Sequence, residues 1–324
     1  MNYVVTGGCG FIGSNYVRGL LSGAWGYDVE KVTVIDSLTY AGNLSNLDPV
    51  IKDSRLIFIK EDIVNQKEIS EILEGNDIVV HFAAESHVDR SISGSAEFIR
   101  TNVLGTHSML QASLDSNIKQ FLHVSTDEVY GSIAKGSWDE QEPLLPNSPY
   151  AASKASSDLI ARSFFITHGL DVRITRCSNN FGTYQYPEKV IPLFITNLMQ
   201  GKKIPLYGDG LNVRDWLHVD DHCRGIQLVI EKGQAGQIYN IGGGTELTNI
   251  DLTNKILSAM GASNDSIEKV EDRKAHDRRY SVDITKIHNE LGYSPQCTLE
   301  DTLDDIVDWY KKNQQWWAPL KATK

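Results

Sequence analysis

Two carboxylates stand side by side at Asp127 and Glu128, within Ser125-Thr126-Asp127-Glu128-Val129-Tyr130-Gly131. Adjacent acids repel, so their proton affinities are driven apart and one can stay protonated while the other ionises. Such a pair can give a proton to a leaving hydroxyl and take a carbon-bound proton within one site. The alternative is a solvated turn in which the acids merely open a helical segment. Downstream, Tyr150 and Lys154 lie four residues apart in Ser148-Pro149-Tyr150-Ala151-Ala152-Ser153-Lys154. On a helix that spacing puts both on one face, one turn apart. Ser148 suits an N-cap and Pro149 the first helical position. A free phenol ionises near ~10, and bringing that to neutrality takes about 4 kcal/mol of differential interaction. Nearby positive charge favours the phenolate, which can take the proton of a substrate hydroxyl. The alternative is an exposed helical pair.

The partner for such chemistry is a hydride acceptor, and the N-terminus supplies a place for one. Gly7, Gly10 and Gly13 follow a short β-rich run, Tyr3 to Thr6, and open a helical pattern. Glycines at that spacing allow a tight turn, close approach of a pyrophosphate and close helix-sheet packing, with the anion at the helix N-terminus. Asp36 ends the next strand, 23 residues after Gly13. A carboxylate there accepts from both ribose hydroxyls and repels a 2′-phosphate, and Ser37 follows it rather than Arg or Lys. NAD is therefore expected in preference to NADP. Asp62, at the end of the third strand, either takes the adenine edge or caps the strand.

These residues need a frame. Near-continuous apolar strands are expected at 3–6, 31–36, 56–60, 77–83, 120–125 and 172–176. Helical stretches fall between them, near 11–21, 65–74, 95–116 and 150–168. That alternation predicts an α/β fold: a Rossmann-type, doubly wound parallel sheet with helices on both faces. Ligands on such sheets sit beyond the carboxyl ends of the strands, where the motifs above fall. After about residue 180 the pattern becomes loop-rich and aromatic. A strand-helix unit returns at 213–232, with further helices near 248–260, 284–291 and 299–313. The expected division is a dinucleotide domain at 1–180, with 213–245 returning to it, and a smaller interleaved substrate-binding part within 181–324.

The 324 residues carry 31 basic and 42 acidic side chains, a net charge of −11. That balance argues against nucleic-acid binding, which needs a basic footprint. It also requires that any phosphate-bearing ligand meet locally placed cations and backbone amides. No apolar run approaches the ~18 residues of a membrane span, and no secretory signal is read at the N-terminus. Cys9, Cys177, Cys223 and Cys297 are widely spaced, which suggests free thiols in a reducing cytoplasm. His218 and His222 have i, i+4 spacing but no third ligand presents itself, so no metal is expected. His81 and His123 lie inside apolar strands and read as core residues.

The glycine loop, Asp36 and the Tyr150/Lys154 pair resemble the extended short-chain dehydrogenase/reductase family. Within it, the Thr126-Asp127-Glu128 segment, His81-Phe-Ala-Ala-Glu-Ser-His-Val-Asp-Arg-Ser91 and Asp36-Ser-Leu-Thr-Tyr-Ala-Gly-Asn43 look like the dTDP-glucose 4,6-dehydratase group. The likeness runs over nearly the whole chain. It implies that Tyr150 takes the proton of the sugar 4-hydroxyl while NAD takes the C4 hydride, with Lys154 on the nicotinamide ribose and Thr126 on the 4-oxygen. Glu128 would then remove the C5 proton, Asp127 would protonate the departing 6-hydroxyl, and the hydride would return to C6. The resemblance also implies further cofactor contacts at Phe11, Ile12, Ser37, Leu38, Thr39, Ile63, Ala83, Ala84, Thr101 and Asn180. It assigns the nucleotide-sugar side, dTDP-glucose, to Ser86, Asn179, Lys189, Val190, Pro205, Tyr207, Arg214, Asn249, Arg273 and His276. Lys189, Arg214 and Arg273 are plausible pyrophosphate partners, and Tyr207 could stack on the base. The family has glycine where this chain has Ala275. It also implies a homodimer packed through 95–116 and 150–168. The short connection from Gly131 to Pro149 resembles versions of the enzyme that make antibiotic sugars. Two other readings share these motifs: an epimerase or decarboxylase on the same scaffold, and a non-catalytic NAD-binding sensor.

Overall fold

The computed structural model describes residues 1–25 and 29–322. In chain order the elements are β1 (Asn2–Thr6), α1 (Phe11–Ser22), β2 (Lys31–Ile35), β3 (Leu56–Ile59), α2 (Gln66–Leu73), β4 (Ile78–His81), α3 (Val88–Ser93), α4 (Ala96–Phe98), α5 (Thr106–Asp115), β5 (Gln120–Thr126), α6 (Pro149–His168), β6 (Val172–Cys177) and β7 (Asn179–Phe181). They continue with α7 (Val190–Met199), β8 (Ile204–Tyr207), β9 (Val213–His218), α8 (Val219–Lys232), β10 (Ile238–Ile241), β11 (Glu246–Thr248), α9 (Asn249–Met260), β12 (Ile267–Val270), α10 (Thr285–Leu291), α11 (Leu299–Lys312) and α12 (Gln314–Ala322).

Among the described residues, seven strands form one sheet in the order β10-β6-β5-β4-β1-β2-β3, and every pairing in it is parallel. Strand side chains alternate between faces. Tyr3, Val5, Val34, Val80 and Leu122 therefore pack on one side with α1 and α8, whereas Val4, Ile35, Val79 and Phe121 pack on the other with α2, α5 and α6. Fully burying each such side chain contributes about 1.5–3 kcal/mol. The strand order reverses between β1 and β4, and the crevice beyond their carboxyl ends is where the glycine turn lies.

The second lobe has its own core, built from α7, α9, α11 and α12 around Phe194, Trp216, Ile256, Ile306 and Trp317. It carries a three-stranded sheet, β11-β9-β7, and a two-stranded one, β12-β8. Within the returning stretch 213–245, β10 extends the large sheet, while β9 pairs with β7 and β11 in the small one. Helix α8 packs against the large sheet's core through Cys223, Ile226 and Val229.

The helical stretch expected at 95–116 is interrupted. Ile99–Gly105 forms a π-helical segment between α4 and α5. Gly105 packs there against Ile63, so close that an added Cβ would meet Ile63 Cδ1 at 2.5 Å. α3 and the short strands β7, β8, β11 and β12 have no counterpart in the sequence expectations; each is too short for periodicity to register.

Candidate active site

The turn between β1 and α1 is shaped by what glycine lacks. Gly7 has φ of 66°, and a Cβ on it would meet Ala83 N at 2.7 Å. A Cβ on Gly13 would meet Gly7 O at 2.3 Å, so the helix packs directly on the turn. The N-cap of α1, Gly10, offers no side-chain hydrogen bond, and its first turn has no acidic residue. The first-turn amides are thereby left for an anion. Asp36 is buried at the end of β2, accepting from Cys9 N at 2.9 Å and Leu38 N at 2.8 Å. Each carboxylate oxygen retains a lone pair for a hydroxyl donor. The glycine cradle and the Asp36 carboxylate fit a dinucleotide with free ribose hydroxyls.

Asp62 accepts from Val64 N at 3.2 Å and from Arg100 at 2.8 Å. Its carboxylate thus shapes the turn after β3 and holds Arg100 at the rim of the cleft.

β5 is buried along its whole length and delivers Thr126 to the centre of the molecule. Asp127 to Tyr130 then form one 3₁₀ turn, capped by the Thr126 hydroxyl, which accepts from Glu128 N. Asp127 is buried, so the solvated-turn alternative does not describe it. Burial, then Glu128 and Asp215, hold its carboxyl well above the usual carboxylate range. Burial also raises Glu128, but Arg273, Arg214 and Lys189 act on it in the opposite direction. The sequence shows no cation beside the two acids, yet the fold brings three from distant segments, and they act chiefly on Glu128.

Helix α6 begins as its sequence implies: Ser148 Oγ accepts from Ala151 N at 3.1 Å and Pro149 occupies the first turn. Tyr150 and Lys154 share its buried face. Lys154 Nζ donates to Val124 O at 2.9 Å. Burial lowers this lysine to about 8, against the opposing pull of Asp158 one turn further on. Tyr150 is the other member of the pair. Burial and the Glu128 carboxyl push its phenol well above the ordinary range, while the Thr126 hydroxyl acts downward. The chain by itself holds Tyr150 protonated, because it is buried near acids. Lowering it requires positive charge brought into the cleft.

One cleft joins these parts. Its wall includes Gly7, Gly10, Phe11, Ile12 and Gly13 at the glycine turn, then Asp36, Ser37, Thr39, Asp62 and Ile63 along the adjoining strand ends. Ala83, Ala84, Ser86 and Thr101 come from the β4 side, with Thr126, Asp127, Glu128, Tyr150 and Lys154 at the floor. Asn179, Asn180 and Lys189 come from the second lobe. His222 Nδ1 donates to Asn180 Oδ1 at 2.9 Å, and His218 caps Asp220 N, so the two histidines have separate structural contacts. His81 and His123 are buried in the sheet, and all four cysteines are free.

Other nominated residues lie off that wall. Leu38 instead supplies the amide that holds Asp36. Val190 opens α7, Pro205 and Tyr207 belong to β8, and Asn249 opens α9. Arg214 stacks 4.2 Å from the Tyr280 ring centroid and donates to Asp277 O. Arg273 sits 3.8 Å from Asp89 with its Nε buried and unpartnered, and His276 bonds Asp272 at 2.5 Å. Conversely, Tyr40, Arg100, Tyr184, Tyr186, Glu188 and Trp316 line the cleft without having been nominated. Tyr40 stands inside the quoted Asp36–Asn43 motif. Trp316 has no local signal, since only the fold of α12 brings it there.

The family model described as GDP-mannose 4,6 dehydratase matches residues 4–306. A curated dTDP-glucose 4,6-dehydratase of Streptomyces antibioticus is 55% identical over 99% of this chain and 96% of its own. The crystal structure of DesIV, the dTDP-glucose 4,6-dehydratase of Streptomyces venezuelae with NAD and TYD bound, superposes with a TM-score of 0.98 at 58% identity, covering 99% of this chain and 100% of that one. A dTDP-glucose 4,6-dehydratase from Bacillus anthracis in complex with NAD gives 0.91 at 46% identity, with 99% of each chain covered. The match covers nearly the whole chain and spans both lobes: this chain belongs to the nucleotide-sugar 4,6-dehydratase family that the GDP-mannose 4,6 dehydratase model describes.

Proposed function

We propose that the chain is an NAD-dependent dTDP-glucose 4,6-dehydratase that yields the 4-keto-6-deoxy sugar nucleotide. When bound, NAD accepts a hydride from C4 of the sugar and returns it at C6. Tyr150 takes the proton of the 4-hydroxyl, with Thr126 holding the 4-oxygen and Lys154 on the nicotinamide ribose. The resulting ketone acidifies the C5 proton, which Glu128 removes. Asp127 gives its proton to the 6-hydroxyl, water leaves, and Glu128 returns a proton to C5.

The observation that carries this reading is the unequal setting of the two adjacent acids. Asp127 is buried beside Glu128 and Asp215, which strengthens its hold on a proton, as suits a proton donor. Burial raises Glu128 as well, but Arg273, Arg214 and Lys189 oppose that rise and favour its ionised form, as suits a base. Epimerisation needs neither group. The buried, unpartnered Arg273 Nε, with Arg214 and Lys189, supports a pyrophosphate site in this acidic protein. The cofactor and substrate contacts nominated from the sequence are part of this proposal.

Incubation with dTDP-glucose, followed by alkaline detection of a 4-keto product and comparison with UDP-glucose, tests it. Formation of the 4-keto-6-deoxy product supports the reading. A 4-epimer or a decarboxylated sugar as the sole product would overturn it.

The proposal extends to a homodimer and to the cytoplasm. Ile99, Leu104, Leu159 and Ile166 are exposed on the helices expected to pair, and four free thiols suit a reducing compartment. Among the described residues no helix is long and apolar enough to cross a membrane. A monomer at all concentrations in sedimentation would remove the dimer.

A further inference from the structure

The last helix of the chain reaches back to the glycine turn. Trp317 anchors α12: it is fully buried, and its indole N–H donates to Tyr310 O at 2.8 Å. Its neighbour Trp316 points the other way, into the wall of the dinucleotide cleft. There the Trp316 indole N–H donates to Asn46 Oδ1 at 2.9 Å, a contact spanning 270 residues of sequence. Asn46 in turn donates through its side-chain amide to Cys9 O at 2.9 Å, which also accepts from Asn43 N at 3.0 Å. The Cys9 N–H donates to Asp36 Oδ2. A continuous chain of hydrogen bonds therefore runs from the C-terminal helix, through Asn46 and the glycine turn, to the carboxylate read as the ribose acceptor.

An aromatic group closes the same end of the cleft. The Tyr184 ring lies 4.5 Å from that of Trp309 and 5.6 Å from that of Trp316, centroid to centroid. Arg18 spans the two lobes: its guanidinium carbon sits 4.3 Å from the Tyr184 ring centroid, and its NH1 donates to Asn46 O at 2.7 Å. Tyr184 adopts φ of 63°, a left-handed conformation uncommon for an aromatic residue, which the packing around it maintains.

We propose that Trp316 is a cofactor-retaining residue: with Tyr184 it forms a clasp that ties the second lobe onto the glycine turn and keeps the dinucleotide from dissociating between turnovers. This inference rests on the proposed function, in which one NAD serves every cycle. Leaving the cleft at this end requires parting Trp316 from Asn46 and opening the aromatic contact, so release is coupled to separation of the lobes. Trp316 is a positioning residue toward Asp36 and a wall for the ligand, with no part in proton transfer.

The test uses the full chain with Trp316→Ala, Trp316→Phe and, as a control on the same helix, the exposed Gln315→Ala. Two quantities are read: NAD retained per chain after gel filtration, and the exchange rate of bound NAD against an excess of a fluorescent NAD analogue. Trp316→Ala is expected to exchange at least tenfold faster and to lose most of its NAD, with Gln315→Ala unchanged. Trp316→Phe keeps an aromatic ring but loses the five-membered half of the indole with its donor to Asn46, and is expected to fall between them. A folded Trp316→Ala chain, with unaltered circular dichroism and cooperative unfolding, that exchanges at the wild-type rate overturns the proposal. Should that variant not fold, Trp316→Phe decides, and a wild-type exchange rate in it overturns the clasp. A wild-type chain that binds no NAD would overturn the proposed function, and the clasp with it, which separates that failure from a failure of the clasp alone.

Discussion

Thr126 Oγ1 lies 3.2 Å from Asp127 Oδ1 and donates to it, while Asp127 Oδ2 is buried with no hydrogen-bond partner in the chain. A protonated carboxyl in that setting has one oxygen occupied as an acceptor and the other free to present its proton. Leaving a buried polar atom unpaired costs about 1–3 kcal/mol, which a substrate hydroxyl would relieve.

The double variant Asp127→Asn, Glu128→Gln retains Tyr150, Lys154 and Thr126. It is expected to oxidise C4 and accumulate reduced nicotinamide absorbance, while dehydration falls by about 10²–10⁴-fold, the usual loss for a general acid or base. Stopped-flow absorbance and product analysis measure the two steps separately. Wild-type dehydration by this variant would remove the roles assigned to both acids.

Substrate labelled with deuterium at C4 should give product labelled at C6, with no label in solvent or in added NAD. Mass spectrometry of the sugar reads the outcome. Label that washes out would contradict a hydride held within one active site.

Lys154 is lowered to about 8 by burial, so its ammonium is present below that pH and lost as pH rises through it. C4 oxidation that depends on this charge should decline on an alkaline limb. Asp158 raises the Lys154 value, so Asp158→Asn should move the limb to lower pH. The substitution also leaves Arg176, which bonds Asp158 at 2.9 Å, without its buried counter-charge. That should cost about 3–5 kcal/mol of stability. Single-turnover rates across pH and denaturant unfolding measure the two effects, and a limb that stays in place would show that Asp158 does not act through Lys154.

Ala275 adopts φ of 52°, the left-handed region, at the position where the resemblance leads one to expect glycine. A Cβ there costs about 1–2 kcal/mol. Ala275→Gly should recover roughly 1 kcal/mol, after allowing for the greater freedom of glycine in the unfolded chain. Thermal or urea unfolding checks the sign, and a destabilised variant would mean that the loop does not hold this conformation.

Much of the frame was legible because it is local. The strand ends carrying Gly7, Asp36 and Thr126 follow from apolar runs and from turn chemistry, and Ser148-Pro149 announces the helix that carries Tyr150 and Lys154. The small strands of the second lobe left no such trace, since three or four residues are too few for a period. Arg214 and Arg273 were nominated, but off the wall of the cleft their charge acts on Glu128, a relation that spacing along the chain does not encode. The upward push that the chain itself exerts on Tyr150 was not legible for the same reason. Burial and nearby carboxyls depend on what packs around the phenol.

The sequence by itself determined the residue types that can do the chemistry, the sheet that must carry them and the face of α6 on which the tyrosine and lysine sit. These follow from covalent spacing and from the periods of helix and strand. Only the tertiary structure decided that the two adjacent acids meet different surroundings, Glu128 and Asp215 beside Asp127 and three cations acting on Glu128, and that Trp316 lines a cleft begun at Gly7. Those outcomes depend on desolvation and on charges brought together across the chain, which fall off with distance in space and are blind to distance in sequence.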